Sequence, residues 1–231
     1  MNDNIKNIKR IRISRENKTE NLRCDYAERL NNYSDKFFRE FLETLTQEDF
    51  ICYPSYEEYD NLRDKIGNFL GLSGKNVSLG TGSGSCIKDL IHVTCNTDSQ
   101  IISSFPCYPM YFVYGEIFGS NFIKVPYNDS GEVTIDSIIS EVNEKTKLVI
   151  LANPNSPYGE YKDVGEIEKL CSYLQERDVI LLIDEAYVDF SSGNSLPLIN
   201  KYKNVLISRT FSKAWGAAGI RLGYLVGSKK L

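Results

Sequence analysis

Short apolar segments alternate with amphipathic segments along most of this 231-residue chain. Seven short apolar runs predict strands, and they lie at 76–79, 100–103, 122–125, 148–152, 179–183, 205–207 and 222–226. In most of the stretches between them, apolar residues recur at the spacing of an amphipathic helix. Strands that are apolar throughout and are separated by helices are typical of a parallel sheet with both faces covered. The predicted fold class is therefore α/β, with a mostly parallel seven-stranded sheet and helices on both faces.

Two more helices are predicted before the sheet. Ser34 is the expected N-cap of the first, whose apolar residues recur at helical spacing at Phe37, Phe38, Phe41, Leu42 and Leu45. The second spans about 59–69 and ends at Gly71. Residues 1–30 are expected to form an amino-terminal arm, and residues 31–231 a single domain.

Composition narrows the class of protein. Apolar residues make up 42% of the chain and charged residues 25%, as in an ordinary soluble globular protein. The net charge of −4 argues against a nucleic-acid partner. We find neither a signal peptide nor an apolar run long enough to span a membrane, so the expected location is the cytoplasm.

Cysteine and histidine usage disfavours disulfide and metal chemistry. The six cysteines show no CxxC spacing and are expected to be free thiols. The only histidine, His92, lies on an apolar stretch and is expected in the core or in an interface. With a single histidine, a zinc site or a serine triad is hard to build, and no metal is expected.

Candidate chemistry lies in the loops that follow the predicted strands, where ligands bind in parallel sheets. The glycine-rich loop 80–85 could point backbone amides at an anion, although it lacks the ending of a Walker motif. Asp184 directly follows the strand 179–183 and either caps the next turn or keeps a heterocyclic nitrogen protonated. Tyr108, between two prolines, is either a core aromatic or a flat platform for a ring.

Lys213 lies within the segment SRTFSKAWGAAGIRLG, residues 208–223. Alanine, tryptophan and glycine neighbours would solvate its ammonium poorly and favour the neutral, nucleophilic amine that a Schiff base needs, although an ordinary loop lysine is the alternative. Thr210, Ser212 and Arg221 together suit a phosphate. An anion cradle, an aromatic plate, a carboxylate and such a lysine are the parts needed to hold pyridoxal phosphate.

Three segments carry a resemblance to a known family: NPNSPYG at 153–159, DEAY at 184–187 and TFSKAWGAAGIRLGY at 210–224. They resemble the fold-type I pyridoxal-phosphate-dependent aminotransferases of class I/II, and most closely the histidinol-phosphate aminotransferase branch. The resemblance covers the chain from about residue 23. It implies the large cofactor domain of the aspartate aminotransferase-like fold, and the carboxy-terminal small domain of family members is expected to be absent.

The resemblance implies a role for each residue around the cofactor ring. Lys213 is expected to form the internal aldimine and later to carry the proton. Asp184 is expected to pair with the pyridine nitrogen, which makes the ring an electron sink. Tyr187 and Asn155 are expected to hydrogen-bond the phenolic oxygen, and Tyr108 to stack on the ring. The implied catalytic residues are Lys213, Asp184 and Tyr187.

The resemblance also implies the phosphate site and a partner. The expected phosphate ligands are Gly82, Ser83, Gly84, Thr210, Ser212 and Arg221. Tyr53 is expected to reach the cofactor of a second subunit, which implies a homodimer. The chain departs from the family pattern at Ser156 and Tyr158, where asparagine and threonine are usual, and at Gly84 and Ser85, where this branch has an acidic residue.

The implied function is transamination in amino-acid biosynthesis. The amino group would move between an amino acid, or an amino-acid-like phosphate of the histidinol-phosphate type, and a 2-oxo acid. Two alternatives stay open: a decarboxylase of an amino-acid phosphate on the same scaffold, and a cofactor-binding fragment that is catalytically incomplete.

Overall fold

A computed structural model of the protein describes residues 26–229. Three helices come before the sheet, namely α1 (Asp35–Glu43), α2 (Glu48–Ile51) and α3 (Tyr56–Phe69). The remaining main elements are β1 (Val77–Gly80), α4 (Ser83–Thr94), β2 (Gln100–Phe105), α5 (Met110–Phe118), β3 (Asn121–Pro126), α6 (Ile135–Ile139), β4 (Thr146–Ala152), α7 (Val164–Gln175), β5 (Ile180–Asp184), α8 (Leu196–Lys201), β6 (Val205–Thr210) and β7 (Gly223–Gly227). Most of the predicted arm, residues 1–25, lies outside the described residues.

The strands form one seven-stranded sheet in the order β1-β7-β6-β5-β4-β2-β3. Only β7 runs antiparallel to its neighbours β1 and β6, so the predicted mostly parallel sheet is confirmed. Asp184 at the end of β5 pairs with Ala152 at the end of β4. Thr210 at the end of β6 pairs with Gly223 at the start of β7. The ends of the parallel strands and the start of β7 therefore share one edge.

Helices cover both faces of this sheet, as predicted. Val149 and Leu151 of β4 belong to a core cluster that includes buried residues of α6, α7 and α8. Leu148 and Ile150, which alternate with them, belong to a second cluster with residues of α4 and α5. This alternation is the period-two arrangement of a strand that is buried on both faces. None of the helices within residues 26–229 is long and apolar enough to cross a membrane.

Several predicted boundaries were wrong. The loop predicted at 80–85 is shorter, because α4 already begins at Ser83. The strand predicted at 205–207 continues through three more residues to Thr210. Of the two places expected for His92, the core is wrong, because the side chain is exposed and stacks on the ring of Phe118 at 4.6 Å between ring centroids; an interface stays a prediction.

Helix α1 confirms a predicted element but leaves its apolar face uncovered within the described residues. The amide of Phe37 donates to the Ser34 hydroxyl at 3.2 Å, which is the predicted N-cap. The apolar side chains of this helix are 40% to 53% exposed; they are Phe37, Phe38, Phe41 and Leu42. Their spacing thus predicted the helix correctly without predicting burial in this chain.

Candidate functional site

The predicted site residues come from separate segments that meet at one edge of the sheet. Asp184 ends β5, and Lys213 lies just beyond the end of β6. Tyr108 and Asn155 follow β2 and β4. Arg221 comes just before β7, and it reaches the same edge because this strand runs in the opposite direction. The carboxyl ends of parallel strands are where α/β sheets bind ligands.

Asp184 is buried, with 5% of its surface exposed, and each carboxylate oxygen accepts a hydrogen bond. The hydroxyl of Tyr111 donates to Oδ2 at 2.5 Å, and the hydroxyl of Ser208 donates to Oδ1 at 2.8 Å. Burial raises the pKa of Asp184 above its usual range, while the two hydroxyls, the amide of Ala186 and the charge of Lys213 oppose that rise. The site thus holds a desolvated carboxyl surrounded by hydrogen-bond donors.

Lys213 lies half-buried beside Tyr187. Its Nζ is 5.4 Å from the centroid of the Tyr187 ring and donates to the backbone carbonyl of Tyr26 at 2.6 Å. Tyr187 caps a short 3-10 turn, Val188–Phe190, that follows β5. The strand end and the loop after β6 therefore bring an amine, a phenol and the carboxyl of Asp184 to one place.

The amino terminus of α4 faces the Arg221 guanidinium. Gly82 has a φ of +82°, and a Cβ there would lie 2.6 Å from Nη2 of Arg221. A Cβ at Gly223 would lie 2.2 Å from the amide nitrogen of Ser83. Glycine at both positions allows the cation and β7 to approach the first turn of α4. The first amides of a helix lack partners inside it and attract anions. The corner formed by the first turn of α4 and the Arg221 guanidinium therefore favours negative charge.

Hydroxyl groups complete the corner beside Arg221. Its Nη1 donates to the Ser212 hydroxyl at 3.3 Å and to the Ala218 carbonyl at 3.0 Å. The Ser212 amide donates to the Thr210 hydroxyl at 3.1 Å, and the two hydroxyls are 3.0 Å apart. No carboxylate of residues 26–229 lies within ion-pair distance of this guanidinium. Uncompensated positive charge, hydroxyls and free amides fit a phosphate group.

Tyr108 and Asn155 line the same edge. Tyr108 is 40% exposed, and its ring packs edge-on against that of Tyr111, with the centroids 5.4 Å apart. Asn155 is buried; its side-chain amide donates to the Ser104 hydroxyl at 3.4 Å, and its Oδ1 accepts from the Tyr158 amide at 3.3 Å. Since Tyr158 contributes backbone here, the change from the family threonine leaves this contact in place.

Tyr53 is the predicted site residue that the structure does not bring to the others. It lies between α2 and α3 with its whole surface exposed, so it contacts none of the residues at the sheet edge within this chain.

The neighbouring carboxylate, Glu185, makes contacts that support the fold. It is fully buried, pairs with Arg209 at 2.7 Å and accepts from the Ser195 amide at 2.6 Å. Burial raises the pKa of Glu185, and the guanidinium of Arg209 acts against that rise. Of the two adjacent acids, Asp184 has no arginine partner among the described residues and accepts hydrogen bonds from two hydroxyl groups.

Three contacts in the site were not predicted from sequence. Tyr111 donates to Asp184 from α5, Ser208 donates to it from β6, and the Tyr26 carbonyl accepts from Lys213. Ser208, the first polar residue after the apolar run 205–207, was a signal for the second of these. Nothing in the local sequence around Tyr26 pointed to the third.

Comparison with known proteins agrees with this geometry. The family model "Aminotransferase class I and II" matches residues 25–231. Histidinol-phosphate aminotransferase 1 of Carboxydothermus hydrogenoformans is 34% identical over 208 residues, which cover 90% of this chain and 58% of the relative. An aromatic amino acid aminotransferase of Rhodococcus opacus is 32% identical over 163 residues, which cover 70% of this chain and 45% of the relative.

A solved structure shows the same likeness. The histidinol-phosphate aminotransferase of Sinorhizobium meliloti, in complex with pyridoxal-5'-phosphate, superposes with a TM-score of 0.68 at 27% identity. The match covers 77% of this chain and 49% of that one.

The fold and the edge site define an α/β protein of the aminotransferase type. The chain belongs to the aminotransferase class I and II family. It spans about half the length of the curated relatives it matches.

Proposed function

We propose that this chain binds pyridoxal phosphate and serves an aminotransferase, which moves an amino group between an amino acid or an amino-acid-like phosphate and a 2-oxo acid. The observation that carries the proposal is the meeting of Asp184, Lys213 and Arg221 at one sheet edge. A buried carboxyl, an amine and an uncompensated guanidinium are the groups that the ring nitrogen, the aldehyde and the phosphate of this cofactor require. Histidinol-phosphate-like and aromatic amino donors both have named relatives.

Each residue at the edge has a proposed task. The first amides of α4, at Ser83 and Gly84, bind the phosphate together with Thr210, Ser212 and Arg221. The carboxylate of Asp184 holds a proton at the ring nitrogen. Tyr187 and the Asn155 side-chain amide donate to the phenolic oxygen, and the Tyr108 ring covers one face of the cofactor.

Lys213 is the proposed nucleophile and base. Pyridoxal phosphate supplies an electrophilic carbonyl carbon and a ring that withdraws electrons from the reacting carbon. The Nζ of Lys213 would hold the cofactor at this carbon, and once the substrate's amino group has displaced it, the released amine would move a proton at the α-carbon of the substrate. The Tyr26 carbonyl orients this amine by accepting its hydrogen bond. We also propose a homodimer in which the partner subunit's Tyr53 reaches the phosphate, because Tyr53 is fully exposed among residues 26–229.

Spectroscopy and product analysis test the function. The purified chain is titrated with pyridoxal phosphate, reduced with borohydride and then analysed by peptide mass spectrometry. Unreduced samples receive a panel of amino donors, including histidinol phosphate and aromatic amino acids, with 2-oxoglutarate as acceptor. Amino transfer supports the proposal, whereas carbon dioxide release without amino transfer supports a decarboxylase. Cofactor bound without turnover supports the binding-fragment alternative, and an intact fold that binds no cofactor contradicts all three.

Arg221→Gln should weaken cofactor binding without unfolding the chain. This change removes a charged donor from the phosphate corner, and such hydrogen bonds correspond to about a tenfold to hundredfold change in affinity. The dissociation constant is measured by absorbance titration at low salt. Arg177→Gln is the matched control, because Arg177 is an exposed arginine just after α7. Equal affinities in the two variants would contradict the phosphate role of Arg221.

A further inference from the structure

We propose that Tyr111 and Ser208 are positioning residues that keep the carboxylate of Asp184 ionised and correctly oriented towards the ring nitrogen of the cofactor. This inference rests on the proposed function and adds two residues to it. Neither hydroxyl needs to contact the cofactor, since each acts through Asp184.

The two hydroxyls approach the carboxylate from different elements. Tyr111 lies on α5, 73 positions before Asp184 in sequence, and donates to Oδ2 at 2.5 Å. Ser208 lies on β6 and donates to Oδ1 at 2.8 Å. Both donors are fully buried, so their side chains have few alternative orientations. With a helix holding one oxygen and a strand the other, the plane of the carboxyl group is determined by the fold.

Tyr111 also links Asp184 to the predicted ring platform. Tyr108 lies just before α5, and the backbone amide of Tyr111 donates to its carbonyl at 3.2 Å. Their rings pack edge-on, with the centroids 5.4 Å apart. The turn that leads into α5 therefore orients both the aromatic plate and the carboxylate that would contact the same cofactor ring.

The hydroxyls matter because Asp184 is otherwise desolvated. Burial favours the neutral acid, and hydrogen bonds donated to the carboxylate favour the ion. The other titratable groups that face Asp184 are Tyr111, Cys107 and Lys213. Burial raises the pKa of Tyr111 well above its usual range and that of Cys107 to about 11, so both stay neutral near pH 7. Tyr111 thus remains a proton donor where the carboxylate must be charged.

Tyr111→Phe tests the proposal by removing only the hydroxyl. We expect the affinity for pyridoxal phosphate to fall about tenfold to hundredfold, because a hydrogen bond to a charged group is lost. Tyr224→Phe is the control: Tyr224 is a buried tyrosine of β7 whose hydroxyl contacts Arg209 and not Asp184. Unchanged affinity in Tyr111→Phe, or an equal loss in both variants, would overturn the proposal.

A second measurement needs no cofactor. In the cofactor-free chain the folded-state pKa of Asp184 is raised, so its ionisation reduces stability as pH rises through that pKa. Tyr111→Phe raises this pKa further. The free energy of unfolding in urea should therefore fall more, relative to wild type, at about pH 8 than at about pH 5. The effect of Tyr224→Phe should be the same at both values, and a pH-independent loss in Tyr111→Phe would mean a packing role only.

Ser208→Ala provides the second variant. It removes the donor to Oδ1 and should show both the loss of cofactor affinity and the pH-dependent loss of stability. It therefore tests the proposal even if Tyr111→Phe does not fold. If wild-type chain binds no pyridoxal phosphate, the proposed function fails, yet the urea measurements still decide whether these hydroxyls stabilise the carboxylate. If the cofactor binds and neither variant changes its affinity, the positioning role fails and the proposed function stands.

Discussion

Lys213→Ala should abolish the attachment of pyridoxal phosphate to the chain. After borohydride reduction of the wild type, the peptide that contains residue 213 should carry the added mass of the cofactor, and in the variant no peptide should carry it. The rate of amino transfer should fall about a hundredfold to ten-thousandfold, because the base that moves the substrate proton is lost. The structure supports this expectation through the position of Nζ, beside Tyr187 and within the electrostatic range of Asp184.

The control for this experiment is Lys145→Ala. Lys145 is an exposed lysine just before β4, on the opposite side of the sheet from the strand ends. Its variant should retain the modified peptide at residue 213 and the wild-type rate. Cofactor found on another lysine in both Lys213→Ala and wild type would contradict the assignment of Lys213.

Asp184→Asn should lower the rate of amino transfer without lowering the stability of the chain. With the charge at the ring nitrogen removed, the rate of the half-reaction with an amino donor should fall about a hundredfold to a thousandfold. The cofactor-free variant should nevertheless unfold at the same urea concentration as wild type, or at a higher one, at about pH 8. The side chain of asparagine has nearly the same shape, and its amide can still interact with the hydroxyls of Tyr111 and Ser208.

The direction of the expected stability difference between Asp184→Asn and wild type follows from its pH dependence. Burial raises the pKa of Asp184 in the folded chain, so wild-type stability declines as pH rises through that pKa. Asparagine has no such ionisation, and the advantage of the variant should therefore grow with pH and vanish in acid. Asp189→Asn, at an exposed carboxylate after the same strand, should change neither rate nor stability. A variant that is less stable than wild type at every pH would show that the carboxylate itself supports the fold.

The sheet was predictable from sequence because it is buried on both faces. The central strands β4 and β5 are apolar at most positions, and β2 and β6 each contain a short apolar run. The element ends were less predictable, because backbone geometry determines them. Gly82, with its φ of +82°, starts α4 earlier than the residue types suggest. The antiparallel direction of β7 is likewise a property of chain connection and not of its apolar residues.

The candidate site was predicted where residues are close in sequence to strand ends, and missed where a contact crosses the fold. Lys213, Asp184 and Arg221 lie within three positions of a strand end, so the sheet brings them together. Tyr111 donates to an acid 73 positions away, and a local motif contains no information on that distance. The apolar face of α1 is a related case, since helical spacing predicts an amphipathic surface without identifying what packs against it.

The reversed direction of β7 has a consequence for how the site is held together. The chain leaves the sheet edge at Thr210 and returns to it at Gly223, and these two residues are paired. Lys213 and Arg221 therefore lie in one loop, 211–222, whose ends are joined by the sheet. Local opening of β7 would displace both residues at once, so a ligand held by both would slow amide hydrogen exchange in this strand. The affinity for such a ligand and the local stability of the β6–β7 pairing are thus thermodynamically coupled.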